Sequence, residues 1–280
     1  MTIAAPALDH AVINVRDRMD EAVARYRRLG FTMTARGYHT LGSINHLAMF
    51  GATYLELVGV EPGAARQRAD VLRFPVGFNG LVLATDDADA LHADLMRSGI
   101  AAGAPVAFSR PVEIDGAAHE ARFRTVSLGE DSVLGGRVYF CQHLTRDLVW
   151  RAEWQAHDNG VTDIVRAVVV SPSPRQAAAP FAAMLGAAAL RDTDSGCTIA
   201  LGNLRLDIVG QAALAAEFGD AAPDGGGRAD YMAALTFRTA SLARAAAALA
   251  RGGITVEEHD FRLVVPAAAA MNTTLEFVAA

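Results

Sequence analysis

Two histidines and a glutamate near the start of this chain fall in short alternating segments, where spacing decides which side chains share a face. In LDHAVINV, from Leu8, the apolar Ala11, Ile13 and Val15 alternate with His10, Val12 and Asn14, the pattern of a half-buried strand. In TYLELVGV, from Thr53, Leu55 and Leu57 belong to the apolar side and Tyr54, Glu56 and Val58 to the other. The same parity applied to the strand between them sets His46 and Ala48 on the open face, with Leu47 and Met49 inward. One face then carries His10, His46 and Glu56. Imidazole and carboxylate suit Zn, Fe, Mn, Ni or Co. His46 is expected to contact substrate or to orient a neighbour rather than to ligate. The plainer alternative has His10 bonding to the adjacent Asp9 and Glu56 pairing with Arg122 or Arg124.

Arg122 and Arg124 alternate on a later strand, and a guanidinium on its cleft face would anchor a carboxylate or enolate oxygen by paired hydrogen bonds. A solvated edge would carry two arginines equally well. Trp150 and Trp154 either close a cleft mouth with apolar area or staple a connector onto the core. His39, His92, His119, His157 and His259 fall in expected loops or on helix surfaces and read as solvated. Cys141 and Cys197 form no CxxC pattern and read as free thiols.

The elements that must position these residues recur. After Val15, Arg16-Asp17 breaks the strand, Met19 to Leu29 follows helical spacing, and Gly30 ends the helix where a left-handed residue is needed. Strands are expected at Phe31 to Arg36, Ile44 to Phe50 and Thr53 to Val58, so the unit reads βαβββ. It returns from Gly80 (GLVLATDDADALHADLMRSGI), from Asp163 (DIVRAVVVSPSPRQAAAPFAAMLG) and from Tyr231 (YMAALTFRTASLARAAAALARGG). The fold class is therefore α+β, with four βαβββ modules in two pairs, each pair enclosing a cleft between curved sheet faces. Residues 1–150 form the first pair, the turn-rich 151–160 connect, and 161–280 form the second.

With 280 residues, 52% of them hydrophobic, the chain is long enough for two domains. A formal charge of -6 without a basic cluster argues against nucleic acid as a partner. Met1 to Pro6 lacks the positive residue of an export signal, and no apolar run reaches the ~18 residues of a membrane span. The expectation is a cytoplasmic protein taking a small molecule, as a homodimer by the prevalence of two-fold pairing.

LDHAVINV with its helix ending at Gly30, NHLAMFGATYLELVGV and YFCQHLTRDLVWRAEW together resemble the vicinal oxygen chelate, or glyoxalase-like, superfamily. The resemblance is good from residue 7 to about 155 and only architectural beyond 160. It implies metal ligands on the first and last strands of each module. Those positions are His10 and Glu56 in the first and Gly80 and Cys141 in the second. Gly80 offers no side chain, but His143 stands on the face of Cys141, so His10, Glu56 and His143 become the candidate ligands of a divalent ion. Two histidines and a carboxylate make up the ligand set of non-haem Fe(II) oxygenases. The resemblance implies an isomerase, lyase or dioxygenase for substrates with neighbouring oxygens, with Glu56 as the candidate proton carrier. The alternative it implies is a metal-free binding protein of the bleomycin-resistance type, with a mainly apolar cleft. In the second half Glu276 and Asp207 occupy the positions of Glu56, but no imidazole accompanies them, and that half reads as scaffold.

Overall fold

The computed structural model describes residues 3, 5–129 and 133–280; Met1, Thr2 and Ala4 of the opening stretch lie outside them. The first module contains β1 (Leu8–Arg16), α1 (Met19–Arg28), β2 (Gly37–Tyr38), β3 (Ile44–Met49) and β4 (Tyr54–Gly59). After α2 (Ala69–Arg73), the second contains β5 (Gly77–Ala84), α3 (Ala88–Arg97), β6 (Val106–Ile114), β7 (Ala117–Ser127) and β8 (Arg137–His143). The third runs through β9 (Val161–Val170), α4 (Pro174–Ala177), α5 (Ala179–Leu185), β10 (Leu190–Thr193), β11 (Gly196–Leu201) and β12 (Leu204–Val209). Following α6 (Gln211–Phe218), the fourth has β13 (Tyr231–Thr239), α7 (Leu242–Arg251), β14 (Glu257–His259), β15 (Arg262–Val265) and β16 (Thr274–Ala279). The βαβββ repeat is present four times, as the sequence pattern predicts.

The modules pair into two eight-stranded mixed sheets, ordered β2-β3-β4-β1-β5-β8-β7-β6 and β10-β11-β12-β9-β13-β16-β15-β14. Within a module the first strand lies parallel to the last, as β1 to β4 and β5 to β8. The two modules of a sheet join antiparallel, along β1–β5 and β9–β13. Helix signals agree with the sequence. Asp20 and Glu21 open α1 while Arg25, Arg27 and Arg28 close it, each matching the helix dipole. Gly30 follows with φ +86, and a Cβ there would come within 3.0 Å of Asn159. The Asp87 carboxylate caps α3 by accepting from the backbone of Asp89 and Ala90.

One expected strand is absent. Phe31 to Arg36 is irregular, and only Gly37–Tyr38 pairs with β3. The Thr32 amide donates instead to His157 Nδ1 at 3.0 Å, and the Thr34 hydroxyl receives the Leu47 amide at 2.9 Å, so side chains take the place of a ladder. His157 is therefore not the solvated residue expected. It is buried in the connector, with Nε2 donating to the Met49 carbonyl at 2.7 Å. Cys141 and Cys197 are both free and buried.

The faces of the two sheets that pack against helices merge. Ala11, Ile13 and Val15 of β1 belong to the same apolar cluster as Leu235 and Phe237 of β13 and Phe277 of β16. Phe31 packs at a tilt against Phe237 with ring centres 5.3 Å apart, and Phe50 meets it edge-on at 5.8 Å. No helix is long and apolar enough to cross a membrane among the described residues.

Candidate functional site

The other face of the first sheet curves around a cavity of about 260 Å³. Cross-strand pairing decides what faces it, because directly opposed residues share a side of the sheet. Glu56 lies opposite Leu47, and Tyr54 opposite Met49. Asn45 and Leu47 therefore line the cavity beside Glu56, while Ala48 joins the shared core. The expected parity of β3 is thus displaced by one residue, and His46 leaves the cleft. Its Nδ1 sits 2.7 Å from the Thr34 carbonyl, and Arg36 donates to Nε2.

The same logic removes two arginines. In β7, Phe123 and Thr125 line the cavity opposite His143 and Cys141 of β8. Arg122 and Arg124 point the other way. Arg122 is exposed, and Arg124 forks onto Asp89 of α3, with 2.7 Å from Nη2 to Oδ1. The guanidinium groups at the cavity are those of Arg68, Arg73, Arg110 and Arg137. They come from α2 and its flanks, from β6 and from the start of β8. Only the β6 residue lay on a strand whose alternation could have exposed it, as Phe108 and Arg110 stand two apart and both line the cavity.

His10 and Glu56 do meet. His10 Nδ1 lies 2.6 Å from Asp9 Oδ1, its Nε2 lies 3.6 Å from Glu56 Oε2, and its ring stacks on Tyr54 at 4.2 Å. The plainer expectation of a local Asp9–His10 bond is therefore present together with the approach to Glu56. Asn45 Nδ2 donates to Glu56 Oε1 at 2.7 Å. Burial opposes ionisation of Glu56, but His10, His39, the Asn45 amide and Arg137 outweigh it and hold the carboxyl below its ordinary range. Burial likewise works against the Asp9 charge. The hydrogen bonds and charges of His10 and His143 prevail and keep Asp9 ionised far into acid. Tyr139, which the sequence reading passed over, places its hydroxyl 3.5 Å from His10 Nε2, and burial pushes its ionisation above the usual phenol range.

His143 takes a different place from the one expected. Its Nε2 lies 3.1 Å from Asp9 Oδ1, on the far side of that carboxylate, and its ring packs edge-on against Phe123 and Trp150, both at 5.0 Å. Trp150 does not line the cavity. Arg146 covers its ring at 3.4 Å, and Tyr54 packs edge-on at 5.2 Å, so it staples the segment after β8 to the sheet. Asp9, Cys141 and His143 bring ligand-type atoms within 4.8 Å of one another, and a group of this kind can bind a metal. Two features work against it. Burial drives the Cys141 thiol well above its normal ionisation range, and Asp9 Oδ1 already faces both imidazoles. The position in β5 that could complete a set with His10 and Glu56 is closed, because a Cβ on Gly80 would lie 2.9 Å from Val12 Cβ.

In the second sheet the corresponding residues neutralise one another. Arg166 of β9 donates to Asp207 at 2.6 Å and to Glu217, while Glu276 of β16 takes Arg262 at 2.7 Å and the Thr236 hydroxyl. Carboxylates stand where the repeat predicts them, committed to arginines.

Solved structures share this arrangement along the whole chain. A hypothetical protein from Staphylococcus aureus superposes with a TM-score of 0.66 at 12% identity, over 98% of this chain and 99% of its own. A triply substituted 4-hydroxymandelate synthase from Streptomyces coelicolor gives 0.60 at 13%, over 99% and 93%. A fusion protein of a xylose isomerase-like TIM barrel with 4-hydroxyphenylpyruvate dioxygenase gives 0.57 at 13%, over 100% of this chain and 49% of its own. At these identities the likeness shows the fold. No curated protein sequence matches the chain. The family model for the glyoxalase-like domain matches residues 8–185, a span that runs from β1 through the cavity-forming sheet to α5. Repeat, paired sheets and matched span agree, and the chain belongs to the glyoxalase-like domain family.

Proposed function

We propose that the chain is a metal-dependent enzyme acting on a small substrate with neighbouring oxygens, and that His10 and Glu56 hold the ion. The observation that carries this is the approach of two electron-pair donors. With Nδ1 bonded to Asp9, the neutral His10 ring would turn the lone pair of Nε2 toward the Glu56 carboxylate. At 3.6 Å the two atoms are too far apart for a hydrogen bond. They are close to the roughly 3.0–3.4 Å that separates neighbouring ligands on a divalent ion with 2.0–2.1 Å bonds. In that tautomer two acceptors face each other in a buried site, an arrangement that a cation between them would relieve.

The donor set fits a borderline ion, with Asp9 and Asn45 orienting the two ligands from behind. When bound, such an ion acts as a Lewis acid toward a carbonyl or enediolate. The protein supplies the rest. Tyr139 keeps its proton and donates to an oxygen placed beside His10, and Glu56 is the ionised carboxylate within reach of a substrate proton. Isomerase or lyase chemistry follows from such a proton transfer. A metal-free binding protein has one observation in its favour, the blocked ligand position at Gly80. The polar wall of the cavity speaks against its mainly apolar cleft.

Metal content by inductively coupled plasma mass spectrometry decides the matter, on protein purified without chelator or histidine tag. Near-stoichiometric metal is expected in the parent, and its loss in the His10→Ala, Glu56→Ala double variant. Metal kept by that variant but lost by His143→Ala moves the site to Asp9, Cys141 and His143. No uptake by the parent from any of the five ions leaves the binding protein.

A further inference from the structure

Arg110 is 5% exposed, lines the cavity, and has no carboxylate of the described residues within 4.0 Å. Burial pulls its proton affinity down, and the more distant Tyr54 and Glu56 only partly oppose this. The comparison with Arg166 is direct. That guanidinium, also largely buried, has Asp207, Glu217 and Glu276 within reach. An unpaired buried cation is unfavourable unless something compensates it. Two other polar atoms on the same wall are also without partners, Asn45 Oδ1 and Arg137 Nη2. Arg137 spends its other nitrogens on Asp70 and Asn79, and Asn45 spends its amide on Glu56 and His39. Gly37 lets the first two groups come together, since a Cβ there would meet Asn45 Oδ1 at 2.3 Å and Arg110 Nη1 at 3.2 Å. Beside Arg110, Phe108 and Phe123 stack at 5.1 Å and give the cavity an apolar wall.

We propose that this cavity selects an organic acid, with the ligand carboxylate paired to Arg110 and its hydrocarbon part against Phe108 and Phe123. Asn45 Oδ1 is left to accept from a ligand hydroxyl, and Arg137 Nη2 to donate to a further oxygen. The inference names the ligand class for the site described above and rests on that cavity being the substrate site, but it requires no metal.

The test uses full-length, chelator-treated protein, so that a failure to bind metal and a failure to bind acids are read separately. Hexanoate and 3-phenylpropanoate are titrated by calorimetry against hexanamide and 3-phenylpropanamide, which have the same shape without the charge. The acids are expected to bind about tenfold or more tighter than the amides, the range of one charge-assisted hydrogen bond. Arg110→Met should abolish that preference, and Arg110→Lys should restore part of it. Without ligand, Arg110→Met should melt at the same temperature as the parent or higher. Amides binding as tightly as acids, no acid binding to the parent, or undiminished acid binding by Arg110→Met would each overturn the proposal. So would a ligand-free melting temperature lowered by many degrees in that variant, because Arg110 would then have an internal partner.

Discussion

His39 illustrates how a single side chain near the cavity carries a measurable pH dependence. Its Nδ1 faces the Ser43 hydroxyl at 2.8 Å and its Nε2 accepts from Asn45 at 3.2 Å, a pattern made by the neutral ring. Burial lowers its pKa to about 4, with Arg110 and Arg68 adding to the effect and Glu56 partly opposing it. Above the ordinary histidine pKa of ~6.5 neither the folded nor the unfolded chain holds this proton. Between there and about 4 only the unfolded chain takes it up, so stability falls as the solution is acidified through that window. Unfolding in urea at pH 7.5 and pH 5 should show the parent losing about 2 kcal/mol more than His39→Gln. Equal losses would mean that the folded protein accepts the proton readily. The sequence placed His39 in a solvated loop, and nothing in its neighbourhood contradicted that. The loop is folded over the cavity by the Thr40 amide bonding to the Ser109 carbonyl of β6, a contact 69 residues away.

At the scale of elements, the seam between β1 and β5 sets the chemistry available. Val12 stands directly opposite Gly80, and the cleft side of that pair has room for only one side chain. Gly80→Ala should destabilise the protein by about 1–3 kcal/mol through overpacking against Val12, and Val12→Ala in the same chain should recover much of the loss. Destabilisation left unchanged by the second substitution would show that the clash lies elsewhere. This seam also shows what alternation makes legible. In β1 and β4 the apolar and polar sets are cleanly separated, and His10, Tyr54 and Glu56 face the side expected of them. In β3 both faces are apolar enough to be buried, so INHLAM has no polar side to mark the cleft, and the choice between His46 and Asn45 rests on register alone. In β7 the arginines mark the solvent side, and the aromatic and hydroxyl residues between them line the cavity. Arg68, Arg73 and Arg137 belong to a short helix and a strand start, where periodicity carries no signal.

For the whole molecule, the decisive feature is the apolar cluster common to both sheets. Two cores were expected of a chain this long, but the βαβββ unit leaves open which faces meet. Here Phe31 and Phe50 of the first module press on Phe237 of the fourth, and Phe31 also meets Phe277. The connector is held in the same packing by His157 and Asn159. A fragment ending at residue 160 should therefore lack a cooperative thermal transition and bind the dye ANS, as a loosely packed chain does. A sharp melt and fixed near-ultraviolet circular dichroism from that fragment would show that the first sheet folds alone. In the cell this arrangement becomes a matter of timing. The module that carries His10 and Glu56 is synthesised first, yet the aromatic residues that cover its inner face come from β13 and β16. At ribosomal rates the wait from Phe50 to Phe277 is roughly 10 to 45 s. During that interval a half-made protein holds an uncovered apolar sheet, and its yield should depend on how well chaperones shield nascent chains.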